Sequence, residues 1–218
     1  KDMMPEDEIM AHKKRSLDPD HQVLRGTSQN PDVFFQAREA ANKYYEKVPG
    51  IVQDTMDEFY KHTGRKYSLF YYVGHPEAEK VIVIMGSGQG PVMEAVDTMV
   101  KNGEKVGAIK VRLYRPFSVD AFIGAIPESV TKICVLDRTK EPGAVGDPLY
   151  LDVCAAYVES EKKMPRILNG RYGLGSICSR VITVTRQSLK SHSACSIIGL
   201  PAEYGVEIRT GAEADNNS

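Results

Sequence analysis

Gly86, Ser87, Gly88 and Gly90 form a glycine-rich turn directly after the apolar run 81–85 and directly before a helical pattern. Backbone N–H groups left free at such a helix start can hold a phosphate or a carboxylate. Ser87 and Gly88 are therefore candidates for an anion site, with Arg115, at the end of the next apolar run, adding charge. A dinucleotide fingerprint needs G-x-G-x-x-G and an acid closing the second strand. Here Pro91 takes the third glycine's place, and the second run ends in Arg112 and Arg115, so that reading falls away. A plain strand-to-helix turn with Pro91 at the first helical position remains the alternative.

No other set of residues is complete. Asp137, Arg138, Lys140 and Glu141 could do acid–base work, but opposite charges so close in sequence more commonly form a local salt-bridged turn of little energy. His12, His21, His62, His75 and His192 have no spacing that makes a metal site or a triad. Cys134, Cys154, Cys178 and Cys195 contain no CxxC pair. Cys134 lies in an apolar run and Cys154 on an apolar helix face, where a thiol acts as a small hydrophobe. No catalytic residue and no metal ligand is assigned.

The elements that must position the turn are regular. Apolar strands at 80–85, 106–113, 131–136 and 165–168 alternate with helices at 91–101, 119–125 and 148–160. Such alternation predicts an α/β fold, an open, mostly parallel sheet with right-handed crossovers and helices on both faces. In such a sheet the carboxyl ends of the strands share one edge, where ligands and partners meet the fold. Gly86-Ser-Gly-Gln-Gly90, Tyr114-Arg-Pro-Phe117, Asp137-Arg-Thr-Lys-Glu-Pro-Gly143 and Gly170-Arg-Tyr-Gly-Leu-Gly-Ser176 all fall on it.

A helical N-terminal segment precedes the sheet. Residues 5–17 read as a polar helix stopped by Asp18-Pro19, and 21–30 as a connector. Asn30 is the expected N-cap of a helix that opens on Pro31 and closes with Tyr44 and Tyr45 before Pro49-Gly50. A second helix is expected at 51–62, ended by Gly64. Residues 67–73 read either as a short strand or as an extended aromatic linker.

The formal net charge of −1 over 218 residues gives no global field toward nucleic acid or an anionic membrane surface. No apolar run reaches the length of a membrane span, and Lys1, Asp2, Glu6, Asp7 and Glu8 do not make a signal peptide. The expectation is a cytoplasmic chain without nucleic-acid or membrane partners. The missing methionine at position 1 reads as an internal segment.

Four stretches carry a resemblance. Arg25-Gly-Thr-Ser-Gln-Asn-Pro-Asp32, Tyr114-Arg-Pro-Phe117, the run 136–153 and Gly170-Arg-Tyr-Gly-Leu-Gly-Ser176 together resemble pyruvate:ferredoxin (flavodoxin) oxidoreductase, with similarity from about residue 5 to 176. Enzymes of that family decarboxylate pyruvate on thiamine diphosphate with Mg²⁺. They pass electrons through 4Fe–4S clusters to ferredoxin or flavodoxin and hand the acetyl group to coenzyme A. The resemblance implies a fragment in three parts. Residues 1–75 would be the end of the N-terminal thiamine-diphosphate domain plus a linker, 76–176 core domain II, similar to the C-terminal domain of transketolases, and 177–218 a divergent, partly disordered segment. It implies a homodimeric whole enzyme whose remaining domains are this segment's partners, and an isolated fragment that is inactive and binds none of these cofactors itself. The family's thiamine-contacting residues and cluster cysteines fall outside the segment, so none is carried onto a position here.

Two departures stand out. Gly90-Pro91 replaces the glutamate that usually follows the Gly-Ser-Gly-x turn, and the sequence after Ser176 departs from the family's. The expected role is architectural, with the strand-end edge and the aromatic stretch packed on neighbouring domains. A different class of reading is a free-standing α/β module that binds an anion or a partner protein without redox chemistry.

Overall fold

The computed structural model describes residues 3–23, 26, 28–174 and the backbone of 182–184. Arg25 and Thr27 of the first motif, Gly175 and Ser176 of the last, and, apart from that backbone, the expected segment 177–218 with Cys178 and Cys195 lie outside the described residues. The chain divides into two compact units, residues 1–67 and 68–218.

The first unit is helical: α1 (Glu6–Lys14), α2 (Pro31–Ala40), α3 (Asn42–Tyr45) and α4 (Val48–Thr63). α1 has Glu6, Asp7 and Glu8 in its first turn and His12, Lys13 and Lys14 in its last, the arrangement the helix dipole favours. Asn30 precedes α2 as expected, but its main-chain oxygen does the work, accepting from the N–H groups of Val33 and Phe34. Pro49-Gly50 does not separate two helices. Pro49 sits in the first turn of α4, where an N–H would have no partner and proline is tolerated. Gly64 ends α4 in the left-handed region at φ 70°, its N–H bonding Tyr60 O at 2.8 Å. None of these four helices has a buried residue.

The second unit is a six-stranded sheet of order β1-β3-β2-β4-β5-β6, from β1 (Phe70–Gly74), β2 (Lys80–Met85), β3 (Val106–Val111), β4 (Lys132–Asp137), β5 (Arg166–Tyr172) and β6 (Ile182–Val184). β3, β2, β4 and β5 are parallel, while β1 and β6 run antiparallel at the two edges. The sequence's aromatic stretch is thus a strand, with Phe70 opposite Val111. Its phenylalanine is core: the Phe70 ring lies 5.1 Å from Phe117 and 5.3 Å from Phe122.

Three helices connect the parallel strands: α5 (Gln89–Lys101), α6 (Val119–Gly124) and α7 (Pro148–Glu159). The step from β2 to β3 runs one way across the sheet, and the steps to β4 and β5 run the other. Right-handed crossovers therefore put α5 on one face and α6 with α7 on the opposite face. Alternate residues confirm the split. Ile82, Ile84, Ala108, Cys134, Leu136 and Leu168 pack with Val92, Val96 and Met99 of α5. The intervening Val83, Ile109, Ile133 and Val135 are equally buried, as are Phe122, Leu149 and Val153 of α6 and α7. Burial on both faces explains why the central strands read as unbroken apolar runs. Each such aliphatic side chain contributes about 1.5–3 kcal/mol.

Candidate functional site

Where adjacent crossovers leave a sheet in opposite directions, the carboxyl ends of two neighbouring strands part and open a crevice. Here that point lies between β2 and β4. The strand ends supply Met85 and Asp137, and the segments beyond them carry Gly86-Ser87-Gly88 and Arg138. The turn is a single 3₁₀ turn, Gly86–Gly88, running straight into α5 at Gln89. Pro91 is consequently the third helical residue rather than the first, still within the turn whose N–H groups lack partners. Gly86 adopts φ 78°, a conformation that side chains of L residues rarely take.

The chain fills this crevice itself. Tyr172, the last residue of β5, lays its ring on Gly88 so closely that a Cβ there would lie 2.6 Å from Cε2. Its hydroxyl donates to Met85 O, and burial raises its pKa. From the other side Arg138 Nη1 donates to Ser87 Oγ at 2.8 Å, and the same side chain lies beside Gly173. Of the anion-site candidates, Ser87 and Gly88 are thus held together at the crevice, one under a guanidinium and one under a phenol ring. Arg115 is directed elsewhere. Its Nη1 forms a 2.7 Å ion pair with Asp152 of α7, and its guanidinium stacks on Tyr114 at 3.9 Å from the ring centroid.

Below the crevice, on the α7 side, lies a buried polar network that the sequence did not disclose. Asp137 has no exposed surface, and its two oxygens accept from the N–H groups of Leu149 at 3.0 Å and Tyr150 at 3.1 Å. A strand carboxylate thereby caps the N-terminus of α7, where the helix dipole also favours it. Asp147, just before that helix and also without exposed surface, holds Arg171 Nε at 2.6 Å and Asn169 Nδ2 at 3.0 Å on one oxygen, and accepts Glu141 N–H at 3.1 Å on the other. Asn169 Oδ1 is buried without a hydrogen-bond partner among the described residues. The local salt-bridged turn expected from Asp137, Arg138, Lys140 and Glu141 does not form. Asp137 and Arg138 face opposite ways from one strand end, each toward a partner distant in sequence.

Desolvation is the largest influence on Asp137 and raises its pKa, against the lowering by its two N–H donors. A carboxyl whose pKa is raised by folding adds stability that is complete below the unfolded value and is lost as pH rises through the folded one. The difference in stability between the wild type and Asp137→Asn is therefore expected to shift against the wild type as pH climbs through the carboxylate range. Urea unfolding of both proteins across acid to neutral pH checks this, and a pH-independent difference would contradict it.

Cys134 is buried against the α5 side, where desolvation pushes its thiol up to about 12, in keeping with its reading as a small hydrophobe. Among the described residues no three His, Cys, Asp or Glu side chains converge on a possible metal position, and no helix is long and apolar enough to cross a membrane. Arg138 and Tyr172, which complete the crevice, lie in two of the strand-end segments, but no local signal joins them to their partners. Their partners lie 51 and 87 positions away, and only the strand order brings them together.

Known proteins match this chain closely. The pyruvate-flavodoxin oxidoreductase of Rhodospirillum rubrum is 55% identical over 181 residues, covering 80% of this chain and 15% of the relative. The pyruvate:ferredoxin oxidoreductase of Moorella thermoacetica is 54% identical over 170 residues, covering 78% and 14%. The mitochondrial pyruvate dehydrogenase [NADP(+)] of Euglena gracilis is 49% identical over 177 residues, covering 81% and 10%. The chain thus spans only 10 to 15% of the length of these three relatives. The family model that describes pyruvate:ferredoxin oxidoreductase core domain II matches residues 78–181, the stretch that begins just before β2 and holds the crevice with every residue that fills it. Through those residues the chain belongs to the family of the pyruvate:ferredoxin oxidoreductase core domain II.

Proposed function

We propose that this chain is a segment of a pyruvate:ferredoxin or pyruvate:flavodoxin oxidoreductase, and that its task within that enzyme is architectural. Residues 1–75 serve as the end of the N-terminal thiamine-diphosphate domain with its linker, 76–176 as core domain II, and 177–218 as a divergent end. The whole enzyme is a cytoplasmic homodimer that oxidatively decarboxylates pyruvate to acetyl-coenzyme A and passes electrons to ferredoxin or flavodoxin. Thiamine diphosphate with Mg²⁺ and the 4Fe–4S clusters supply that chemistry on other domains. No step is assigned to this segment's side chains.

The observation that carries the architectural reading is the closed crevice. The place where an open α/β sheet ordinarily receives a ligand is filled by Tyr172 on Gly88 and by Arg138 on Ser87. Residues that pack there tie the carboxyl ends of β2, β4 and β5 together. Calorimetric titration of the 218-residue protein with thiamine diphosphate and Mg²⁺, then with coenzyme A, tests this. Neither ligand is expected to bind, while the protein melts cooperatively. Micromolar binding of either one, lost in Arg138→Ala, would make the crevice a ligand site and overturn the reading.

A further inference from the structure

The strand-end edge separates its charges by depth. Three of its acids are withdrawn: Asp137 and Asp147 have no exposed surface and are held by backbone N–H groups and Arg171, and Asp152 is paired with Arg115. Arg171 is mostly buried with them and Arg115 is paired, while other cations lie further out. Arg138 is exposed and meets the neutral hydroxyl of Ser87. On β3 Lys110 Nζ, and just beyond it Arg112 Cζ, both stand 5.9 Å from the centroid of the Tyr71 ring. Lys110 forms no ion pair among the described residues, and its pKa is lowered by desolvation and then by Arg112, as two crowded like charges require. On this edge Glu141 is exposed in the β4–α7 loop, and Asp120 lies in the first turn of α6, on the opposite face.

We propose that the strand-end edge on the α5 side, carried by Lys110 and Arg138, is a docking surface for a carboxylate-rich protein segment. The inference rests on reading this edge as a docking face rather than a ligand pocket. Geometry favours a row of carboxylates over a single small anion. Lys110 shares a row of the sheet with Ile84 and Leu136, so the β3 and β4 cations flank an intervening strand and stand roughly 10 Å apart. One phosphate cannot bridge that span, and the crevice between them is closed by Tyr172. An extended acidic segment can place one carboxylate on each cation, with the planar guanidinium of Arg138 suited to a bidentate grip.

Fluorescence anisotropy with a labelled hexaglutamate peptide and the 218-residue protein tests the proposal. Binding is expected at about 50 mM salt and is expected to weaken steeply by about 300 mM, since exposed charges are screened over a Debye length. The double reversal Lys110→Glu/Arg138→Glu is expected to weaken it about tenfold or more, and the neutral pair Lys110→Met/Arg138→Gln by several-fold. Lys163→Glu, on the exposed α7–β5 loop at the amino ends of the strands, is expected to leave binding unchanged. Absence of hexaglutamate binding at low salt would overturn the proposal, and so would an equal loss in Lys163→Glu. Displacement of the peptide by inorganic phosphate would identify a small-anion site instead. If the peptide fails and the cofactor titrations are also blank, only the preference for acids falls. If a cofactor binds, the architectural reading falls with it.

Discussion

Asp147→Ala is expected to destabilise the protein by about 3–5 kcal/mol, because it removes one member of a buried ion pair and strands the other. The carboxylate has no exposed surface, and Arg171, its partner at 2.6 Å, has a side chain only 12% exposed. Without Asp147 that guanidinium keeps its charge and loses the acceptor that balances it. Asn169 Nδ2 and the Glu141 N–H lose their acceptor in the same step. A loss of that size is a large share of the stability of an ordinary domain. Urea unfolding measures it directly. The double variant Asp147→Leu/Arg171→Met should recover most of the loss, since replacing both charges by apolar groups of similar volume is close to neutral. A drop of less than about 1 kcal/mol for Asp147→Ala would mean that water reaches the pair and that the network is not the closed structure described.

The same network shows what a sequence discloses and what it hides. The four parallel strands were legible because burial on both faces makes each an apolar run, and the lower edges of β2 and β3 fall where the pattern places them, at Lys80 and Val106. β5 was not. Its run reads as ending at Leu168, because Asn169-Gly170 looks like a turn, yet the strand continues to Tyr172. Asn169 stays in the sheet because Asp147, distant in sequence, accepts from its amide. The β2–α5 turn was legible as a turn, and Ser87 and Gly88 as its working residues. Arg115 follows the neighbouring strand and so points by sequence toward that turn, but Asp152 on α7 holds it. Opposite charges beside Arg138 in sequence point it into its own loop, but its partner Ser87 lies across the crevice. Local spacing reveals which residues a turn contains. It does not reveal which strand end a side chain meets, because that depends on strand order.

Gly88→Val is expected to be the most damaging single change in the crevice. The backbone there is ordinary, with φ −70°, so the demand for glycine is one of space and not of conformation. A Cβ would lie 2.6 Å from Tyr172 Cε2 and 2.8 Å from Ile84 Cδ1, and valine adds two methyl groups beyond it. Tyr172 cannot swing clear without leaving Met85 O, the acceptor of its hydroxyl. Overpacking of this kind costs about 1–3 kcal/mol and the broken hydrogen bond about 1 more, so a loss near 3 kcal/mol or above is expected. Three companion variants separate the causes. Gly90→Ala, two positions on in α5 with nothing within 4 Å of its Cβ, should be neutral or slightly stabilising, by up to about 1 kcal/mol. Tyr172→Phe should cost only the hydrogen bond, about 1 kcal/mol. Gly88→Val/Tyr172→Ala should be less damaging than the sum of its parts, because removing the ring makes room for the valine. Equal losses in Gly88→Val and Gly90→Ala would show that the turn tolerates or resents side chains for reasons of backbone alone. The ring of Tyr172 would then not be what closes the crevice.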